Sequence, residues 1–290
     1  MRLLILSRGT HLYSTQSLLR AARARGHNAH VIDFLNCEIC VGIEPKLLYE
    51  GRSLGHVDAI LPRVGASMTD QGAAVIRQFE LMGVSTTVSS DALIRSRDKL
   101  RACQLLAGEG LQIPKTVFSH TNHDPESLID SVGGLPIIIK LLQGTHGMGV
   151  VLVENRQTAL AIIDAFQAAR QRFIVQEYIR ESKGADLRVL VVGGEVVAAM
   201  QRTPADGEFR ANLHLGGEGH PVTLTPEQEE VAVRAARVMG LDVAGVDLLE
   251  SQRGPLVLEV NASPGLEGIE TVTRVDVAGR IVEWMEVKGE

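Results

Sequence analysis

The sequence predicts a mixed fold: a small parallel α/β domain at the N-terminus, followed by α+β structure. Three patterns lead to this. "RLLILS", "NAHVID" and "VDAILPRVG" are short apolar runs that alternate with helical patterns over roughly the first 90 residues, the order expected of a parallel sheet. "LRVLVVGGEVVAAM" is two strand-like runs meeting at Gly193-Gly194, a hairpin signal. "DVAGVDLLE" and "GPLVLEVN", joined by "SQRG", read as a second antiparallel pair.

Along the chain, the first strand passes into a helix over about 14–25 with Leu18, Leu19 and Ala22 on one face, stopped by Gly26. "QGAAVIRQFELMG" reads as a helix ending at Gly83, and "DALIRSRDKLRACQLLAGEG" as one helix ended by Gly108 and Gly110. Then come "IPKTVF", a helix from about Asp124, the strand "LPIIIKLL" and the loop "QGTHGMGV". The helix "RQTALAIIDAFQAAR" and the strand "RFIVQEYI" follow. A helix from Pro226 to Met239 carries Thr225 as N-cap, Gln228 as its capping-box partner and Gly240 as its stop. The expected division is 1–90, 91–180 and 181–290.

A chain of 290 residues with 45% hydrophobic residues is long and apolar enough for two or three cores, and 3% aromatics means that Val, Leu, Ile and Ala must fill them. The net charge of −6 argues against a general nucleic-acid binder. "MRLLILSRGTHLYS" reads as a strand rather than a signal peptide, and no apolar run approaches the ~20 residues that span a bilayer. Three cysteines are too few for a disulfide framework and fit a reducing cytoplasm. Cys37 and Cys40 could be redox-active or half a zinc site, but no second ligand pair accompanies them, so they read as ordinary cysteines.

The chemistry centres on Glu259, a carboxylate inside an apolar strand. Strict alternation puts Val257, Glu259 and Asn261 on one face and Leu256, Leu258 and Val260 on the other. Taken alone, this also fits an edge strand with one wet face. If the hairpin centres near Arg253, Asp247 lies opposite Glu259, within about 5.5 Å. Such like charges need compensation. A divalent cation supplies it, with Asn261 as a third oxygen; Mg²⁺ or Mn²⁺ suits these ligands, and substrate phosphates complete the shell.

A phosphate cradle is present in "GTHGMGV", with Gly144, Gly147 and Gly149, just after a strand carrying Lys140. It is not a P-loop and by itself fits a plain turn. "VQEYI" offers an adenine site at Gln176, Glu177 and Tyr178, while Glu177 or Asp186 could accept ribose or amine hydrogen bonds. Arg188, Arg202, Arg210, His214 and Asn212 lie between this strand and the acidic ones in sequence; each also fits a solvated surface. Arg8 and Arg63 sit on loops after strands of the N-terminal sheet, where ligand crevices form in open α/β folds, although surface placement fits equally.

The order Lys99, Lys140, glycine loop, Glu177-Tyr178, Asp247, Glu259-x-Asn261 resembles the ATP-grasp superfamily. "EVNASPGLEGIE", "RDKLRACQLLA", "GTHGMGVVLVE" and "FRANLHLGG" are similar to the RimK-type α-L-glutamate ligases, a resemblance covering nearly the whole chain. It implies an N-terminal pre-ATP-grasp α/β domain, a central lid domain and a C-terminal α+β domain, with ATP between the last two. It further implies Lys99 and Lys140 on nucleotide phosphates, Glu177-Tyr178 beside adenine and Asp186 on the nucleotide. Arg210 and Asn212 would lie at the phosphates and reaction centre, and Asp247, Glu259 and Asn261 on two Mg²⁺ or Mn²⁺ ions. Ala211 departs from the serine expected in that segment, and His146 has no assigned role.

The resemblance implies single or repeated addition of L-glutamate to the C-terminal carboxylate of a small-subunit ribosomal protein, in a cytoplasmic homo-oligomer without nucleic-acid or membrane binding. Arg8, Arg63, Arg188 and Arg202 are candidates for the acceptor. Phosphorylating a carboxylate with ATP makes it reactive to an amine, which asks the protein for positioning and charge neutralisation. Alternatives are a ligase with a small-molecule or coenzyme acceptor, a small-molecule kinase, and a nucleotide-binding module without catalysis.

Overall fold

The structure, a computed structural model, describes residues 1–119, 124–142 and 149–289. The N-terminal part runs β1 (Arg2–Leu6), α1 (Tyr13–Ala24), β2 (Asn28–Ile32), β3 (Cys37–Cys40), β4 (Lys46–Tyr49), β5 (Arg52–Ser53), β6 (Ala59–Pro62), α2 (Thr69–Leu81) and β7 (Ser85–Thr86). Its main sheet is four-stranded and parallel, in the order β2-β1-β6-β7. β1 is apolar because both its faces are covered. Leu3 and Ile5 pack with Leu18 and Ala22 of α1, while Leu4 and Leu6 pack with Ile76 and Phe79 of α2.

The small antiparallel sheet β3-β4-β5 is not anticipated by the sequence, its strands being too short for a periodicity signal. Cys37 and Cys40 stand three residues apart on β3, hence on opposite faces. Burial, helped by Asp33 and Glu38, pushes the Cys37 thiol up to about 12, the reverse of what a reactive or metal-binding thiolate needs.

The helix expected from about 91 to 110 is two. α3 (Ser90–Arg97) ends and α4 (Lys99–Gly108) begins at Asp98, whose backbone is extended (φ −88°, ψ 99°) and whose side chain caps α4 by accepting from Arg101 N at 3.0 Å. The break aims its two flanking cations apart. Arg97 Nη2 donates to Val64 O at 2.8 Å in the N-terminal part, and Lys99 Nζ donates to Leu141 O at 3.0 Å in the next sheet.

That sheet is built from β8 (Thr116–Phe118), α5 (Pro125–Ser131), β9 (Ile137–Leu141), β10 (Val150–Val153), α6 (Arg156–Ala168) and β11 (Phe173–Glu177). Its order is β10-β9-β11-β8, all antiparallel, over a core of Ile137, Ile139, Val153, Phe173 and Val175 closed by Ile129 and Ile163. β10 is a strand that the glycine-rich run conceals in the sequence.

The last part comprises β12 (Asp186–Val192), β13 (Glu195–Thr203), β14 (Glu218–Pro221), α7 (Pro226–Met239), β15 (Val243–Ser251), β16 (Gly254–Asn261), α8 (Glu267–Thr273) and α9 (Val277–Gly289). The five strands lie in the order β14-β13-β12-β15-β16. Gly193 and Gly194, both at positive φ (61° and 85°), make the tight turn between β12 and β13. One sheet face packs on α7 and the other on α8 and α9. Each of these cores continues into the N-terminal sheet, the first through α2 and the second through α1.

α7 carries the expected capping box: Gln228 N donates to Thr225 Oγ1 at 3.2 Å and Thr225 N to Gln228 Oε1 at 2.9 Å. Thr225→Ala should therefore lower stability by ~1 kcal/mol in urea denaturation. An unchanged midpoint would mean that the cap contributes nothing.

β16 departs from strict alternation. Asp247 pairs with Glu259 but Leu248 pairs with Val257, so Leu258 is an extra residue in a β-bulge. Val257 therefore joins Val260 in the core cluster on the α7 side, not the face carrying Glu259.

Candidate active site

The strand register lines up the acidic residues. Arg188 on β12 pairs with Asp247 on β15, which pairs with Glu259 on β16, while Asp186 on β12 pairs with Arg202 on β13. Directly paired residues share a face, so these side chains form one patch across the sheet.

Asp247 and Glu259 are adjacent as expected, but their environments differ. Asp247 is buried (5% exposed) and Glu259 is exposed. Both Asp247 oxygens are taken by Arg188, with Nη2 to Oδ2 at 2.9 Å, and Arg202 Nη2 lies 3.1 Å from Oδ2. Arg202 also grips Asp186 through two hydrogen bonds of 2.6 and 2.7 Å. Two arginines thus compensate the Asp247 charge. Burial and the neighbouring Asp247 push the Asp186 carboxyl up to about 6, against the pull of Arg202. Burial disfavours the Arg202 cation, but Asp247 and Asp186 outweigh it and hold the guanidinium charged.

Glu259 faces the opposite situation: cations from three segments act on it. Burial lowers the pKa of Lys140 on β9, of Lys99 at the start of α4 and of Arg97 at the end of α3, and in each case the Glu259 charge works the other way. The α3–α4 break and the second sheet therefore bring Lys99 and Lys140 within electrostatic reach of Glu259. Arg97 was not foreseen, although it stands two residues from Lys99.

Of the glycine loop, Gly149 is described, while Gly144, Gly147 and His146 lie outside the described residues. Gly149 has φ +76°, and a Cβ there would lie 2.8 Å from Leu141 Cδ1, so only glycine fits this approach to β9.

At the end of β11, the Glu177 carboxylate accepts from Lys115 N (3.1 Å) and Arg253 Nη2 (2.7 Å). Arg253, in the β15–β16 turn, thereby ties the two sheets together, a role sequence reading missed. Gln176 is buried with its amide on Thr116 Oγ1, and Tyr178 is half-buried next to it. Arg210 Nη2 donates to Glu208 at 2.6 Å, which drops the Glu208 carboxyl to about 2. Asn212 leads into the short turn Leu213–Leu215. Arg8 is exposed after β1, whereas half-buried Arg63 donates to Pro264 O at 2.6 Å, beside the strand of Asn261.

Among the described residues no three His, Cys, Asp or Glu side chains gather at one point. Asp247, Glu259 and Asn261 carry two carboxylates and an amide, all hard oxygen donors on two paired strands, with the Asp247 oxygens shared with Arg188 and Arg202. That is too few for a closed protein cage but fits Mg²⁺, which keeps positions for phosphate and water. Among the described residues no helix is long and apolar enough to cross a membrane.

Known proteins agree with this architecture. A family model described as the RimK-like ATP-grasp domain matches residues 96–285, and one described as the RimK PreATP-grasp domain matches 1–93. A relative from Picosynechococcus sp., named "Probable alpha-L-glutamate ligase", is 53% identical over 287 residues, covering 99% of this chain and 95% of its own length. A relative of the same name from Aeromonas salmonicida is 52% identical over 289 residues, with 99% and 97% covered. The solved structure of the ATP-grasp ligase PsnB, complexed with a phosphomimetic variant of its minimal precursor, Mg and ADP, is similar with TM-score 0.75. It is 22% identical, with 99% of this chain and 98% of that one covered, and it supports the fold. With both family models spanning nearly all its length, the chain belongs to the RimK-like ATP-grasp family of ATP-dependent ligases.

Proposed function

We propose that the chain joins the amine of L-glutamate to a carboxylate, activated by ATP as an acyl phosphate, and that the acceptor is the C-terminal carboxylate of a small-subunit ribosomal protein. Repeated addition would give an α-linked glutamate tail. The observation that carries this is the pairing of Asp247 with Glu259 in a patch whose charge acts on Lys99 and Lys140. The names of the relatives supply the glutamate.

In this reading Asp247, Glu259 and Asn261 hold Mg²⁺ or Mn²⁺, as two ions. The metal, when bound, neutralises phosphate charge and polarises the transferring group. Lys99 and Lys140 hold nucleotide phosphates, joined by Gly144, Gly147 and Gly149. Glu177 and Tyr178 flank adenine, and Asp186 contacts the nucleotide. Arg210, released from Glu208, and Asn212 stabilise charge on the group in transfer. Arg8 and Arg63 meet substrate carboxylates, leaving Arg188 and Arg202 to neutralise Asp247 and Asp186. The units 1–90, 91–180 and 181–290, a homo-oligomeric state and a cytoplasmic setting complete the proposal.

Incubation with ATP, Mg²⁺, L-glutamate and a peptide ending in glutamates tests it, against the same peptide amidated at its C-terminus. The expected result is free phosphate and a peptide heavier by glutamyl units, with the amidated twin inert. A phosphorylated acceptor without amide would indicate a kinase, and equal turnover of the amidated twin would remove the α-carboxylate reading. Lys140→Ala should weaken ATP binding by roughly 1.5–3 kcal/mol, the value of a charged hydrogen bond. Calorimetry showing unchanged affinity would remove Lys140 from the phosphate site.

A further inference from the structure

Two arginines from different segments meet beside the loop that follows β16. Arg63 is fixed by its backbone N to Leu6 O (2.8 Å) and by Nη2 to Pro264 O (2.6 Å). Arg97 is fixed by Nη2 to Val64 O (2.8 Å). Both guanidinium groups are thus anchored through carbonyls, and among the described residues neither is in a salt bridge. Burial lowers the pKa of both, Arg63 to about 10, and the charge of Arg97 adds to the effect on Arg63.

Two further donors are idle there. Arg97 Nε and Ser263 Oγ are buried and have no hydrogen-bond partner, and Ser263 immediately precedes the Pro264 that holds Arg63. A buried donor without an acceptor costs about 1–3 kcal/mol, and two half-buried guanidinium groups outside any salt bridge add to that cost. One anion would relieve both. The acid acting on Arg97 is Glu259, which the proposed function gives to a metal.

The place borders the reaction centre. Gly245 on β15 pairs with Asn261, and a Cβ on Gly245 would lie 2.7 Å from Pro264 Cβ and 3.3 Å from Arg188 Nη1. The loop that carries Ser263 and Pro264 therefore packs against the sheet beside Asp247.

We propose that Arg63, Arg97 and Ser263 form a recognition pocket for a substrate carboxylate other than the one being activated. This rests on the ligase reading. Both the incoming amino acid and an acidic acceptor tail carry such a group, and a planar carboxylate can accept from a guanidinium fork and a hydroxyl together. A pocket of this kind selects acids over their amides, because an amide NH₂ would face donors and leave them unpaired.

Calorimetric titration with ADP and Mg²⁺ present tests the pocket, using wild type, Arg97→Gln and Ser263→Ala. The probes are L-glutamate, its two mono-amides, and the acidic peptide with its amidated twin; ADP is titrated separately. Arg97→Gln should lose roughly 10- to 150-fold in affinity for one acid, the range of a charged hydrogen bond, and Ser263→Ala should lose less. Both variants should also discriminate less against the matching amide, while ADP affinity stays. A loss confined to glutamate assigns the pocket to the incoming amino acid, and one confined to the peptide assigns it to the acceptor. Unchanged affinity for both acids overturns the proposal, as does an equal fall in ADP affinity, which would place the arginines on the nucleotide. If Arg97→Gln fails to fold, Ser263→Ala decides, since it removes one hydroxyl. Binding is read without turnover, so absence of amide formation would refute the ligase reading and leave the pocket separately decided.

Discussion

Glu259→Gln should yield a folded chain that ligates on the order of 10²–10³ times more slowly than wild type, the cost of removing one electrostatic stabiliser from a transition state. Glu259 is exposed at the end of the strand row, so the isosteric change should leave the chain folded, with stability falling only by what its charge gives to the half-buried Lys99 and Lys140. Two effects combine. One of the carboxylates proposed to hold the metal is lost. The field that opposes desolvation of Lys99 and Lys140 is lost too, so both lysines should give up their protons at lower pH. The alkaline limb of ATP affinity should accordingly move down in pH. Steady-state rates at saturating Mg²⁺, with nucleotide titrations across pH, check this. A wild-type rate would make Glu259 an ordinary edge residue.

The parts of the site that were legible are those set by local pattern. The β15–β16 hairpin follows from two apolar runs and a turn, and its register puts Asp247 across from Glu259 as the sequence suggested. The capping box of α7 and the Gly193-Gly194 turn are equally local. The bulge at Leu258 was hidden because "LVLEV" is apolar but for Glu259 and carries no period that an extra residue would break, so it shows only against a partner strand. Charge partners are hidden for the same reason. Arg188 meets Asp247, and Arg97 feels Glu259, only after segments distant in sequence are brought together. The break at Asp98 had a signal, an N-cap residue inside a helical pattern, which the surrounding helix-forming residues masked.

The buried arginine between the two aspartates has the largest expected effect on stability. Arg202 is 5% exposed, with Asp186 and Asp247 at 9% and 5%. Arg202→Met keeps much of the stem volume but leaves Asp186 without the guanidinium that hydrogen-bonds it and Asp247 with one arginine ion pair in place of two. Breaking a buried pair by removing one partner costs ~3–5 kcal/mol. The loss should depend on pH. In wild type the Asp186 carboxyl titrates at about 6 in the folded chain against 3.8 in its ordinary state. Its contribution to stability is therefore fully present below 3.8 and lost as pH rises through 6. Without the guanidinium that carboxyl moves higher still, so the variant should lose stability more steeply and go on losing it at higher pH. Urea denaturation at about pH 5 and about pH 8 reads this, with the deficit larger at the upper value. The double variant Arg202→Met with Asp186→Leu removes the stranded charge and leaves the Arg188–Asp247 pair, so it should recover part of the loss and flatten the pH dependence. A deficit equal at both pH values and unrelieved in the double variant would mean that Arg202 contributes through packing of its stem, and that the aspartates are not held by its charge.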